Sequence, residues 1–210
     1  MSSCAFHYSE YRCTRPELID QMIARYPLAL ISSEHQGQRH NNHIPLFRTA
    51  DRTLFGHVDR RNPQFQGRGR FPAHLVFMGP QSYIPPEAYR SRLLPTWNYV
   101  AVHMDVEIEV LDDLESARAA LRDTCERLQP PQASFQYDAA DPRVIANAPH
   151  ILGLCIHVLR EEGRFKLSQD KKPEDQQAAL DHLLRRDEAG ERALLDALLR
   201  FAETAEPAHA

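Results

Sequence analysis

The stretch from Val100 to Leu111 alternates between large apolar side chains and smaller or polar ones, and this constrains the fold more than any other feature. Successive side chains of a β-strand point to opposite faces, so a period of two predicts a strand with one buried face. Burial on one face is typical of antiparallel sheets. The apolar face is Val100, Val102, Met104, Val106, Ile108 and Val110; the other is Ala101, His103, Asp105, Glu107 and Glu109. The acidic face is expected to be solvated, with His103 near enough to the preceding polar residues to join a site.

Shorter apolar runs predict further strands, and the residues between them predict turns. The strands are expected at Leu28–Ser33, His40–Phe47, Arg52–Val58, Ala73–Met78 and Ile151–Leu159. Gly37 is expected to turn the chain between the first two strands. Glu161-Glu162-Gly163 is expected to form a turn that leads into a last short strand, Phe165–Ser168.

Helices are expected at both ends of the chain and at one crossover, from apolar stripes with helical spacing. They are Arg15–Tyr26, Asp112–Leu128, Pro173–Leu184 and a last helix that holds Leu194 and Phe201. These elements predict the α+β class, with an antiparallel barrel of Greek-key type and peripheral helices. We expect one domain over residues 1–210, with an N-terminal helix at about 15–26 and C-terminal helices at about 173–203.

The composition narrows the class of protein. The chain has 210 residues and a formal net charge of −4, which argues against strong nonspecific binding to nucleic acid. No apolar run approaches the ~20 residues needed to cross a bilayer, and the first residues lack signal-peptide features. The cysteines are Cys4, Cys13, Cys125 and Cys155, without a Cys-x-x-Cys pair or a zinc-type spacing to histidine. We therefore expect reduced thiols in a cytoplasmic protein without a membrane partner.

Polar residues form four dense blocks at or beside predicted strand ends: Asn41–Pro45, Gly56–Pro63, Pro95–Tyr99 and Lys166–Gln169. A sheet that only has to fold would carry Val, Ile and Thr at such places. His, Arg, Asn, Trp and Ser in their place predict a site built from several strand ends.

The second block offers the most chemistry. Arg60, Arg61 and Asn62 supply donors suited to a phosphate. His57 can donate to an anion or act as an axial ligand of a haem iron, and Gly56 permits close backbone approach. From the spacing alone, the block is about equally well explained as a simple strand-to-loop turn with solvated arginines and as a binding site. His43, taken alone, is most simply a satisfied histidine at a barrel edge.

The other two blocks have both structural and functional interpretations. Trp97 would fill a core or an oligomer interface, or wall an aromatic cofactor. Lys166 and Ser168 would share a strand face and bind a phosphate, or belong to solvated surface. The sequence contains no standard nucleotide-binding glycine motif and no evident nucleophile–base set. Any chemistry is therefore expected to come from a cofactor.

Taken together and in order, these blocks resemble the PaiB family of FMN-binding negative transcriptional regulators. The resemblance runs from about Ile23 to about Leu184. It is carried by Tyr26-Pro27-Leu28-Ala29, Asn42-His43-Ile44-Pro45-Leu46, Gly56-His57-Val58 with Arg60-x-Asn62-Pro63, Phe77-x-Gly79-Pro80-x-x-Tyr83-Ile84, Pro95-Thr96-Trp97-Asn98-Tyr99-x-Ala101-Val102-His103 and Glu162-Gly163-x-x-Lys166-Leu167-Ser168-Gln169.

The resemblance implies a split β-barrel of the flavin-reductase and pyridoxamine-phosphate-oxidase type, as a homodimer with FMN across the interface. It implies phosphate binding by Arg60, Arg61, Lys166 or Ser168, and the isoalloxazine near Trp97 and Tyr99. The full set of expected cofactor-binding residues is His43, His57, Arg60, Arg61, Asn62, Thr96, Trp97, Asn98, Tyr99, Lys166, Ser168 and Gln169.

The chain departs from the family pattern over residues 85–94, where a Ser-Trp-Tyr and a Lys-containing loop are replaced, leaving Arg90 or Arg92 as substitutes for the Lys. Piperazate synthases are similar to this family but use haem to join two nitrogens, and His57 would then ligate the iron. Four functions stay open: an FMN flavoprotein with oxidoreductase chemistry or redox sensing, a transcriptional repressor, a haem enzyme, and a cofactor-free dimeric barrel. The acidic charge and lack of a helix-turn-helix pattern argue against direct DNA binding.

Overall fold

Antiparallel strands and four α-helices make up the part of the chain that the computed structural model describes, residues 8–130 and 132–184. The strands are β1 (Arg12–Cys13), β2 (Leu28–His35), β3 (Gln38–Pro45), β4 (Phe47–Arg48), β5 (Leu54–Asp59), β6 (Arg70–Ile84), β7 (Thr96–Leu111) and β8 (Ile151–Lys166). The helices are α1 (Pro16–Arg25), α2 (Leu114–Leu128), α3 (Pro142–Asn147) and α4 (Pro173–Leu184), with short 3₁₀ turns at Ser9–Tyr11, Pro86–Ala88 and Ala148–His150. The predicted α+β class is confirmed.

The strands form one sheet in the order β3-β2-β6-β7-β8-β5-β4, and β1 pairs with the far end of β8. The β2–β3 hairpin turns at Gln36 and Gly37, whose φ angles are +52° and +73°. Glycine adopts this left-handed conformation without a steric penalty, which confirms the predicted turn. The three longest strands, β6, β7 and β8, lie side by side.

The alternation along β7 has the predicted consequence. Met104, Val106 and Ile108 are almost fully buried, whereas Asp105 and Glu107 on the opposite face are partly exposed. The buried face packs into a core that includes α1 and strands on both sides of β7. Its largest fully buried members are Ile19, Ile23, Ile31, Leu46, Leu54, Phe65, Leu75, Phe77, Met104, Ile108 and Leu154.

The predicted turn at residues 161–163 is wrong, because β8 continues through it. Glu162 pairs with His103 and Gly163 with Val102 in unbroken register with β7. Glu162 is buried, and ion pairs with Arg12 and Arg164 compensate its charge. Acidic residues followed by glycine are typical of turns, but here Arg12 of β1 and Arg48 of β4 pair with Glu162 and Glu161 from other strands, which favours the extended segment.

β6 also runs further than predicted, to Ile84 instead of Met78. Gly79, within the added stretch, allows close packing. A Cβ at Gly79 would lie 3.3 Å from side-chain atoms of both Met22 and Val100, so the glycine lets α1 and β7 approach the strand.

The described residues divide into two compact units, which we treat separately. The first contains residues 8–81 and 99–167, and the second contains residues 82–98 and 168–184. The prediction of one domain over residues 1–210 stays a prediction. The last predicted helix, with Leu194 and Phe201, lies outside the described residues. In the part that is described, no helix has both the length and the apolar character needed to span a membrane.

Candidate functional site

Two of the predicted polar blocks meet in the first unit. Asn42 of β3 donates from Nδ2 to Gln64 Oε1 at 2.7 Å and to Asn62 Oδ1 at 3.5 Å. The backbone N–H of Gln64 also donates to Asn62 Oδ1, at 3.0 Å. Gln64 is fully buried, and its Nε2 donates to Ser33 Oγ and to the carbonyl of Ile31. This amide cluster (Asn42, Asn62 and Gln64) fixes the loop after β5 against β3.

Gly56 of β5 allows this strand to pack closely against the end of β3. A Cβ at this position would lie 2.8 Å from the carbonyl oxygen of Pro45 and 2.7 Å from Leu46 Cδ2. The backbone that approaches Gly56 closely, as the sequence predicted, is therefore that of the end of β3.

The two histidines of these blocks have different environments. His57 of β5 is partly buried, and its Nδ1 lies 3.3 Å from Thr124 Oγ1 of α2. Burial lowers the pKa of His57, so its imidazole is neutral near pH 7. His43 is exposed on β3 and pairs with Leu30 of β2.

The two arginines after β5 also differ. Arg60 donates through Nε to the carbonyl of Pro149, through Nη2 to that of Ile151, and through Nη1 to Asp112. The Arg61 side chain is 86% exposed and bonds only its neighbour Asp59, through Nε and Nη2. These hydrogen bonds lower the pKa of Asp59 to about 2. Arg60 is thus a structural link, whereas Arg61 keeps Nη1 without a partner among the described residues.

Tyr99 and Lys166 are cross-strand partners in the first unit, at adjoining ends of β7 and β8. The Lys166 ammonium lies 6.0 Å from the centre of the Tyr11 ring. The expectation that Lys166 and Ser168 share a strand face is wrong. β8 ends at Lys166, and Ser168 has a left-handed φ of +64°.

The other predicted residues lie in the second unit. Ser168 is buried, with its hydroxyl 3.0 Å from Asn98 Nδ2 and 3.4 Å from the Tyr89 hydroxyl. Trp97 is 51% exposed, with its ring 6.5 Å from that of Tyr83. Thr96 and Gln169 are partly buried in the same unit. Asn98 and Ser168 therefore have structural hydrogen bonds, and Trp97 belongs to an exposed aromatic pair.

A cleft of about 770 Å³ opens in the first unit, beside the face of the sheet that carries the acidic residues of β7. We call it the histidine cleft. Its polar lining includes His74 of β6, His103 and Asp105 of β7, Arg160 and Arg164 of β8, and Arg39 of β3. Its volume lies in the range of small-molecule sites.

A hydrogen-bonded chain runs along this cleft. Arg160 Nε donates to Asp105 Oδ2 at 2.9 Å, and Asp105 Oδ1 lies 2.8 Å from His74 Nδ1. His74 Nε2 is then 3.1 Å from His103 Nδ1. Burial would raise the pKa of Asp105, but hydrogen bonds from His74 and Arg160 lower it. The charged carboxylate orients His74, and the two imidazoles can pass a proton between them.

The sequence singled out only His103 of these four groups. His74, Asp105 and Arg160 come from three strands, and nothing in their spacing shows that they meet. The available signal was the alternation along β7, which places Asp105 on the same face as His103.

Comparison with known proteins fits this arrangement of strands. A family described as "Putative FMN-binding domain" matches residues 6–160. The chain belongs to the PaiB family of FMN-binding domains. It is 27% identical over 180 residues to the "Protease synthase and sporulation protein PAI 2" of Bacillus subtilis (strain 168), covering 82% of this chain and 86% of that protein.

Two solved structures share the fold of this PaiB-family chain. The FAD and heme binding protein from Mycobacterium smegmatis has a TM-score of 0.61 and 17% identity, with 80% of each chain covered. The flavocytochrome Anf3 from Azotobacter vinelandii has a TM-score of 0.62 and 13% identity, covering 83% of this chain and 78% of the other. The split-barrel prediction is thereby confirmed.

Proposed function

We propose that this PaiB-family chain binds a flavin, and that its flavin is FMN. The observation that carries the proposal is the family match, which extends over residues 6–160 and so includes the polar cluster between β3 and β5. The flavin, when bound, supplies one- and two-electron redox chemistry. The residues of this chain bind and orient it.

Arg61 is the group best suited to the FMN phosphate. Its side chain is 86% exposed, and Nη1 is available while Nε and Nη2 stay on Asp59. An arginine fork can bind a carboxylate and a phosphate oxygen together. Arg60 has donors on three partners already, so loss of its side chain would act on the fold more than on the ligand.

Titration with FMN and with riboflavin tests this assignment, because riboflavin lacks the phosphate. The wild-type protein is expected to bind FMN more tightly than riboflavin. Because Arg61→Ala removes a charged hydrogen bond to the phosphate, it should weaken FMN binding by on the order of tenfold. Riboflavin binding should change little.

Arg143 offers a matched control, since it is exposed and bonds Asp141 with the same spacing and the same atoms. The pKa of Asp141 is likewise lowered to about 2. Arg143→Ala should leave FMN affinity unchanged. Equal FMN affinity in wild type and Arg61→Ala would refute the phosphate assignment, and a wild-type protein that binds neither flavin would refute the function.

We also propose that the flavin serves redox sensing in a regulatory protein, with oxidoreductase activity toward a small ligand in the histidine cleft. The name of the Bacillus subtilis relative, which refers to sporulation, supports a regulatory role. The net charge of −4 favours action through a protein partner or a homodimer over direct DNA contact. If the purified protein shifted the electrophoretic mobility of promoter DNA in a salt-dependent way, the proposed action without direct DNA contact would be contradicted.

Haem is the second candidate, favoured by the position of His57. The contact of Nδ1 with Thr124 orients the ring, and the second nitrogen is the one suited to an iron. If this candidate is right, added hemin gives a Soret band in the wild-type protein that His57→Ala loses completely. Flavin binding by that variant would only weaken.

A further inference from the structure

A glutamate, a cysteine and a histidine converge on the face of the sheet that carries the acidic residues of β7. Glu109 of β7 is the direct cross-strand partner of Cys155 of β8, and His157 follows two residues later on the same face. The donor atoms of the three side chains all lie within 4.8 Å of one another. All three residues are partly buried.

The two separations from His157 Nε2 match those of a tetrahedral zinc site. His157 Nε2 lies 3.3 Å from Glu109 Oε2 and 3.8 Å from Cys155 Sγ. With a metal–sulfur bond of about 2.3 Å and metal–nitrogen and metal–oxygen bonds of about 2.0–2.1 Å, tetrahedral angles give about 3.3 Å for N···O and about 3.6 Å for N···S. The two separations from His157 Nε2 are within a few tenths of an ångström of these values, and the donor atoms of Glu109 and Cys155 lie within 4.8 Å of each other.

The same distances argue against a cysteine–histidine–carboxylate catalytic triad. In a triad the carboxylate binds one ring nitrogen and the nucleophile faces the other. Here Glu109 and Cys155 both face Nε2 of His157. Convergence on one nitrogen cannot relay a proton through the ring, but it is the arrangement that a metal ion requires.

The surroundings suit a divalent cation. Glu109 and Asp51 place negative charge near Cys155, and Arg70 partly offsets it. A bound ion would displace the thiol proton to solvent, and its two charges would balance the thiolate and Glu109. Arg70 donates to Glu109 Oε2 at 2.7 Å and would orient that ligand from outside the coordination sphere.

We propose that Glu109, Cys155 and His157 form a binding site for a zinc-type divalent ion, with a fourth position open to water or an exogenous ligand. Three protein ligands and one open position are the pattern of catalytic zinc sites, whereas structural sites use four protein ligands. The mixed sulfur, nitrogen and oxygen set favours zinc over magnesium and calcium, which take oxygen ligands.

Cobalt(II) tests the site, because it substitutes for zinc and reports its ligands by absorption. Difference spectra of the full-length protein during Co²⁺ titration should show intense d–d bands of a tetrahedral site, at longer wavelength than flavin absorption. A thiolate-to-cobalt charge-transfer band should accompany them. Zn²⁺ should abolish both, since zinc binds the same ligands more tightly.

Matched variants identify the ligands. Cys155→Ser should lose the charge-transfer band and weaken Co²⁺ binding at least about tenfold, and Glu109→Gln and His157→Ala should weaken it similarly. Cys125→Ser alters another partly buried thiol and should leave the spectra unchanged. Wild-type protein without tetrahedral bands, or bands that persist in Cys155→Ser, would overturn the proposal and leave an ordinary hydrogen-bonded cluster. Far-ultraviolet circular dichroism without metal establishes that each variant is folded.

Discussion

The close approach at Gly56 makes a quantitative prediction about stability. In Gly56→Ala the new Cβ would lie 2.7 Å from Leu46 Cδ2 and 2.8 Å from the carbonyl oxygen of Pro45. Carbon atoms in ordinary contact lie about 3.5–4.0 Å apart, so the neighbours must retreat by roughly 1 Å. Leu46 is fully buried, and Pro45 contributes backbone at the end of β3, so neither can move freely.

Overpacking of this kind costs about 1–3 kcal/mol, and the backbone contact places Gly56→Ala in the upper half of that range. In a chain of this size each kcal/mol lowers Tm by about 2–4 °C, so a fall of about 4–12 °C is expected. Thermal unfolding followed by circular dichroism measures it. Gly69→Ala is the matched control, because a Cβ there would have no atom within 4 Å and the backbone φ is not left-handed.

Gly69→Ala is expected to leave Tm unchanged or slightly raised, since alanine lowers the entropy of the unfolded chain. Equal Tm values for wild type, Gly69→Ala and Gly56→Ala would refute the packing argument. A double-mutant cycle with Leu46→Ala gives a second check, because removing the crowded side chain should make the combined loss smaller than the sum of the single losses. Additive losses would show that Leu46 does not take part in the clash.

Three further substitutions test other features of the first unit. Arg48→Ala should cost about 1.5–3 kcal/mol in urea unfolding, because Arg48 is 9% exposed and ion-paired with Asp20 and Glu161, while Arg52 continues to pair with both carboxylates. Gln64→Ala should cost about 1–3 kcal/mol, because the partners of its buried amide lose their hydrogen bonds. Since the folded state lowers the pKa of Asp105 from 3.8, its charge stabilises the fold above that pH, and the contribution is lost as pH falls through the folded pKa. Asp105→Asn should therefore flatten the fall in Tm as the pH drops below about 4, and an unchanged profile would count against the Asp105–His74 contact.

The sequence was sufficient for features that depend on local periodicity. The alternation along Val100–Leu111 located β7 and its buried face, and Gly37 located the β2–β3 turn. Predictions from local sequence were wrong where a residue distant in the sequence determines the conformation of a segment. Glu161-Glu162-Gly163 is a favourable turn sequence, yet Arg12 and Arg48 reach it from other strands and hold it in β8.

The candidate site was also predicted only in part from the sequence. The polar blocks near β3 and β5 were predicted from their composition and order along the chain. The sequence alone does not distinguish the roles of two adjacent arginines in one block. Only the tertiary contacts separate Arg60, with its backbone carbonyl partners, from exposed Arg61. The ligands Glu109 and Cys155 were also beyond sequence reasoning, because their proximity depends on the pairing register of β7 with β8.

A β-bulge in β8 brings Arg160 of the histidine cleft to the face of the sheet that carries the proposed metal site. Val158 pairs with Val106 and Arg160 with Asp105, so Leu159 is an extra residue between two consecutive pairs and is 70% exposed. Side chains alternate along a strand, and one inserted residue reverses the phase. Without that reversal, His157 and Arg160 would point to opposite faces, and Arg160 would enter the core opposite Met104. The bulge instead places Arg160 on the same face as His157, where it reaches Asp105. A one-residue insertion interrupts the alternation of apolar and polar residues along β8. The alternation therefore does not predict the contact between Arg160 and Asp105.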